Sequence, residues 1–327
     1  MCSSDLDPAM VERMKQRPSG SPHSWDDERA RRVASAASHP DAADLERAAE
    51  NFKTAWDKLK VKSVQPEKAE RWAILQVAFG TTHKRAASAY DRIEHAVNAA
   101  HPGIPVFRAY TSGMVRRKMT DDGQSAKSVS GMLNQLVLDG YTSVEVISLH
   151  IVAGEEYHQM VNGINAFRNA ATGFRRLEVG RPLLADAAAM RRVASALQAI
   201  IPSERQPEDG VIFMGHGNRR GHGDFSYLAL SDELNRQDRN IFLATVEGCC
   251  NFAPVPATLR ERRIGKVYLM PFMTVAGDHA ENDLAGKAPD SWQSQIKALG
   301  IQTVPVLRGL GEYDNFAALF AGGGQMA

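Results

Sequence analysis

From residue 73 onward the chain repeats one pattern, a short apolar run followed by a longer amphipathic stretch. AILQVAF, PVFRAYT and VEVISLHIV read as strands. AASAYDRIEHAVNAA and SVSGMLNQLVLDG, which lie between them, place apolar residues every three or four positions and read as helices. After a stretch of mixed pattern, LADAAAMRRVASALQAII reads as a helix stopped by Pro202. The pattern then restarts. GVIFMGHG, NIFLATVEG, KVYLMPFMTV and QTVPVLRGLG read as strands, and LALSDELNR, PATLRERRIG and SWQSQIKALG as helices. Strands that are apolar on both faces need cover on both faces, and helices between them supply it. The alternation therefore predicts an α/β fold of parallel sheets flanked by helices.

The restart divides the body into two α/β units, expected at 70–202 and 203–327. Short matches recur between them in the same order. VAFGT aligns with MGHGN, pairing Phe79 with His216; IVAGEE aligns with TVAGDH, pairing Glu156 with His279. Both matches sit where an apolar run gives way to a turn, as expected of a duplicated unit. Residues 1–69 form a polar extension. RPSGSPHS reads as a flexible lead-in, and Leu45, Ala48, Phe52, Ala55, Trp56 and Leu59 predict one amphipathic helix over 41–60. The opening MCSSDL reads as a translated adapter joined to a gene fragment, so the native start and any leader are expected to be missing.

Charge excludes some partners. Lys and Arg total 39 against 38 for Asp and Glu, and no basic run stands out, so neither nucleic acid nor a membrane surface is expected as a partner. No apolar run approaches a membrane span. The expected location is the cytoplasm, or the periplasm if a leader is missing; a homo-oligomer is possible. Cys249 and Cys250 are adjacent, so in an extended segment their side chains point opposite ways, and packing is the expected role.

In an open parallel sheet, ligands bind outside the carboxyl ends of the strands. Polar residues following strands are therefore the candidates. The first unit offers Thr81, Thr82, Thr111, Ser112, His150, Glu155 and Glu156; the second offers His216, Glu247, Asp278 and His279. Singly, each has an ordinary structural explanation: a Gly-rich turn around His216, a solvated strand end at Glu247, a helix start at His279. Together, two histidines and a glutamate at successive strand ends suit a divalent metal such as Co²⁺, Ni²⁺, Fe²⁺ or Zn²⁺. So few protein ligands leave coordination positions open for exchange. G-H-G-N-R-R-G lacks the dinucleotide spacing, and no G-x-x-x-x-G-K-[ST] cradle for ATP occurs.

FGT, YTSGMVRRK, SLHIVAGEEY, FMGHG, TVEG, LMPFMTVAGDHAENDLAG, DSW and GLGE occur in this order between Ile74 and Glu312. In these motifs the chain resembles the anaerobic-pathway sirohydrochlorin cobaltochelatases, class II chelatases distantly related to ferrochelatase. The resemblance implies two Rossmann-like, chelatase-like domains facing a central cleft. It also implies insertion of Co²⁺, a substrate metal, into sirohydrochlorin without ATP. By motif, His216, Glu247 and His279 would be the metal and catalytic residues and Glu156 a further cleft acid. Glu155, His150, Thr81 and Ser112 would meet the tetrapyrrole. The alternatives are an Fe²⁺ or Ni²⁺ chelatase on the same macrocycle, or a non-catalytic tetrapyrrole or metal carrier. The chain departs from the family pattern after GHG, where His222 is the histidine that remains, and at Cys249-Cys250.

Overall fold

The computed structural model describes residues 69–169, 174–218 and 223–322, and the helical residues Arg47, Glu50, Asn51, Lys53 and Thr54. The remainder of the helix expected over 41–60, the lead-in, the opening hexapeptide and His222 lie outside the described residues. Residues 1–68 and 69–327 are separate compact units.

The second unit holds two four-stranded sheets. The first contains β1 (Trp72–Ala78), β2 (Val106–Tyr110), β3 (Ser143–Ser148) and β4 (Arg176–Val179) in the order β2-β1-β3-β4. The second contains β5 (Gly210–Gly215), β6 (Ile241–Thr245), β7 (Lys266–Pro271) and β8 (Gln302–Pro305) in the order β6-β5-β7-β8. Every pairing is parallel. The two orders are the same, 2-1-3-4. β3 and β7 correspond end to end: Ser143 with Lys266 and Ser148 with Pro271, each pair 123 positions apart.

In chain order the helices are α1 (Lys84–Ala100), α2 (Gly113–Asp121), α3 (Val129–Leu138), α4 (Glu155–Asn169), α5 (Ala187–Ala199), α6 (Asp224–Gln237), α7 (Val255–Glu261), α8 (Trp292–Lys297) and α9 (Asp314–Ala321). A π-helical turn, Ala280–Leu284, follows His279. The mixed stretch after β3 resolves into α4 and β4. The strands are shorter than their apolar runs. β3 stops at Ser148 although the run continues to Val152, and β7 stops at Pro271 although the run continues to Val275. The apolar residues beyond each end line a cleft instead of a ladder.

Strand alternation sorts the core into three layers. Ala73, Leu75 and Val77 of β1 face outward under α3 and α4, with Leu133, Leu136 and Ile164. Ile212 and Met214 of β5 face outward with Leu259, Trp292 and Ile296 of α7 and α8. The opposite strand faces, Ile74 and Ala78 of β1 and Val211 and Phe213 of β5, belong to one inner cluster with residues of α1, α5, α6 and α9. α5 packs on α6, and α9, last in sequence, packs on α1 of the first half. The first sheet ends with β4 at Val179 and the second begins with β5 at Gly210, but both draw on this shared inner layer within the single unit 69–327. Among the described residues no helix is long and apolar enough to cross a membrane.

Candidate active site

In a sheet of order 2-1-3-4, the connections leave in opposite directions from strands 1 and 3, opening a crevice beyond their carboxyl ends. Here the two crevices merge. A cleft of about 760 Å³ is lined from β1 by Phe79, Gly80, Thr81, Thr82 and His83, and from β3 by His150, Ile151 and Val152. β5 supplies His216 and Gly217, β6 supplies Glu247, and β7 supplies Thr274, Val275 and His279. Thr274 also donates its hydroxyl to the Leu149 carbonyl at 2.8 Å, tying the floor of the two halves together.

His216 and His279 meet. Their ring centroids are 4.8 Å apart and their planes cross at 75°. His216 leaves β5 on a turn that only glycine permits at the next position. Gly217 has φ +85°, and a Cβ there would lie 1.8 Å from the Glu247 carbonyl oxygen. His279 stands at the start of the π-helical turn that follows β7.

The Nδ1 atoms of both rings are engaged. His216 Nδ1 lies 3.1 Å from the Gly217 carbonyl oxygen, and His279 Nδ1 contacts the Asp283 carboxylate. Donation from Nδ1 leaves the lone pair on Nε2, the form that binds a metal. Bonds of about 2.1 Å, as imidazole makes to zinc, let rings this close share one ion. Glu247 approaches His216 at Nδ1, at 3.8 Å. Among the described residues no set of three or more His, Cys, Asp or Glu is arranged around one ion position. Two imidazole nitrogens turned to one ion would fill part of its coordination sphere.

The first half supplies acids and apolar surface. Glu155 and Glu156 occupy the first turn of α4, where the helix dipole favours carboxylates, and both line the cleft. His150, part-buried, contacts Ser148 Oγ through Nδ1 at 2.9 Å and Thr111 Oγ1 through Nε2 at 3.4 Å. Burial pushes its pKa down to about 4, so it is neutral at physiological pH. Thr81 lines the cleft, and its hydroxyl accepts the His83 N–H at 3.2 Å. Ser112 stands outside this lining: it caps α2, accepting the Val115 N–H at 3.2 Å.

Four cleft residues escaped the sequence reading. Phe79 is 45% exposed and Met114 58% exposed, an unusual openness for large apolar side chains. Lys118, one turn after Met114 on α2, is the Lys or Arg among the lining residues. His83 lies 4.0 Å from Asp278 and 3.7 Å from Glu281. Phe79 pairs with His216 in the internal match and opens the FGT motif, and Met114 and Lys118 lie within YTSGMVRRK; the motifs marked these segments without singling out the side chains that face the cleft. The expected packing role holds for one cysteine of the pair: Cys249 is exposed, whereas Cys250 packs against the inner cluster. Cys250 Sγ donates to the Leu243 carbonyl at 3.2 Å, and burial pushes its thiol up to about 11, away from the thiolate a metal would need.

The sequence model of the cobalt chelatase (CbiK) family matches residues 72–323. The chain is 37% identical over 247 residues to sirohydrochlorin cobaltochelatase CbiKC of Nitratidesulfovibrio vulgaris, covering 76% of this chain and 87% of the relative. It is 36% identical over 250 residues to the sirohydrochlorin cobaltochelatase of Salmonella typhimurium, covering 76% and 93%. Among solved structures, Bacillus subtilis SirB with Fe³⁺ superimposes with a TM-score of 0.50 at 16% identity, covering 77% of this chain and 93% of that one.

Proposed function

The chain belongs to the cobalt chelatase (CbiK) family, and from that premise we propose that it inserts Co²⁺ into sirohydrochlorin without ATP. The observation that carries the reading is the His216–His279 pair, two imidazoles 4.8 Å apart at the open end of a macrocycle-sized cleft. Insertion replaces two pyrrole N–H protons with one divalent ion. The site therefore needs ligands that hold the ion loosely and bases that take two protons.

His216 and His279 are the ligands. Nε2 of each faces the ion, while Gly217 and Asp283 fix the rings from behind. An incomplete protein sphere lets the macrocycle nitrogens displace other ligands one at a time. Glu247, beside His216, and Glu156, at the mouth of α4, accept the protons, directly or through water. The flat ring lies along Phe79 and Met114, and Lys118 meets one of its carboxylate side chains. His150, Thr81 and Glu155 line the tetrapyrrole's side of the cleft. Ser112 acts through α2, which its cap holds in place.

The test is anaerobic incubation with sirohydrochlorin and Co²⁺, Ni²⁺ or Fe²⁺ in turn, following the absorbance change of metallation. Co²⁺ is expected to give the fastest turnover. His279→Ala, with an unchanged circular dichroism spectrum, is expected to lose at least 100-fold in rate. Turnover by that variant at the wild-type rate removes the assignment of His279, and faster turnover with Ni²⁺ or Fe²⁺ removes cobalt as the substrate.

A further inference from the structure

One buried carboxylate near the cleft is used neither for holding an ion nor for accepting a proton. Asp224 opens α6 and is 7% exposed. Each of its oxygens accepts one backbone N–H: Oδ1 from Asn218 at 2.7 Å and Oδ2 from Cys249 at 2.6 Å. Asn218 is two residues beyond His216, and Cys249 is two residues beyond Glu247. A single side chain thus holds the loop that carries the metal ligand and the loop that carries the base.

The surroundings are shaped around this carboxylate. Gly248 has φ +91°, and a Cβ there would stand 2.0 Å from Asp224 Oδ2. The loops also bond directly, Val246 N–H to the Gly215 carbonyl at 3.1 Å and Glu247 N–H to the His216 carbonyl at 3.0 Å. Those two bonds fix the roots of the loops at the strand ends; Asp224 fixes their far sides. The start of a helix is also where a buried carboxylate is best tolerated.

We propose that Asp224 is a positioning residue, which sets the placement of Glu247 relative to His216 by accepting one backbone N–H from each loop. The proposal rests on the reading that His216 holds the ion and Glu247 takes a proton. Without the brace, the His216–Glu247 geometry loosens while the Phe79, Met114 and Lys118 wall stays as it is. The loss therefore falls on turnover and on the ion, not on tetrapyrrole binding.

Asp224→Asn isolates the effect, because an amide has one acceptor oxygen and turns an N–H₂ toward the second backbone N–H. Metallation kcat is expected to fall about 10- to 100-fold, the range seen when groups behind metal ligands are removed, with KM for sirohydrochlorin within about twofold. The visible ligand-field spectrum of Co²⁺ added to the protein alone is expected to change. Phe316→Ala, which destabilises the fold at a residue that neither lines the cleft nor bonds these loops, serves as the control and is expected to keep wild-type kcat below its melting temperature. Should Asp224→Asn fold poorly, Asp224→Ser, which offers one hydroxyl acceptor in less volume, carries the same expectation. Wild-type kcat and an unchanged Co²⁺ spectrum in a folded variant overturn the brace, as does a rise in KM with kcat intact. If the wild-type protein itself fails to metallate sirohydrochlorin, the functional reading falls, and the Co²⁺ spectrum still decides the brace.

Discussion

At the scale of single residues, the cleft divides labour between groups that must bind and groups that must let go. Glu247 is the sharpest case, because it stands close to an imidazole without sharing its free nitrogen. Glu247→Gln keeps the volume and removes the base. It is expected to lower kcat about 100-fold while the tetrapyrrole dissociation constant, read by fluorescence quenching, stays within about twofold. An equal loss in binding would make Glu247 structural. His150 makes a separate prediction about stability. Its pKa falls from 6.5 to about 4 on folding, through burial. Between those values the unfolded chain takes up a proton that the native chain refuses. The stabilisation is complete above pH 6.5 and is lost as the pH falls toward 4, up to about 3 kcal/mol. Urea unfolding at pH 7 and pH 4.5 is expected to show that difference in the wild type and a smaller one in His150→Gln.

At the scale of elements, the strands around the cleft were legible because each is an apolar run that ends in a chemically distinctive turn. His216, Glu247 and His279 were marked as candidates by that signal before the motif resemblance gave them roles, and all three line the cleft. What stayed hidden has physical causes. α2 opens on Gly113 and carries Arg116, Arg117 and Lys118, so its apolar stripe is thin, with Met119 its buried residue. β4 is a four-residue edge strand inside a stretch of mixed pattern, too short for a period to register; β8 is as short, but its apolar run QTVPVLRGLG made it legible. Ser112 followed a strand, which marked it as a site candidate, but a serine before a helix is also a cap, and the cap is the role its hydroxyl takes. α9 is a sequence-end helix whose partner lies more than 200 residues earlier, and no local pattern announces such a pairing. Its Phe316 is fully buried in the inner layer. Phe316→Ala is expected to cost about 3–5 kcal/mol, read as a lower denaturant midpoint.

At the scale of the whole molecule, the duplication visible in VAFGT/MGHGN and IVAGEE/TVAGDH corresponds to two sheets of equal strand order. The sequence did not reveal how tightly they are fused. The inner cluster mixes strand faces from both sheets with residues of five helices, α1, α2, α5, α6 and α9, and α9 crosses back to α1. Native-state hydrogen exchange is accordingly expected to give the central amides of β1 and β5 the same opening free energy. Two clearly separated values would mean that the halves unfold independently.

Both imidazoles hang from the second sheet, and the apolar ledge of Phe79 and Met114 belongs to the first. An ion can therefore dock before any guest ring arrives, and departure of the finished product strips the same nitrogens bare. On the proposed reading such an arrangement lets the cation arrive ahead of the pigment, with the second sheet as a charging station and the first as the berth.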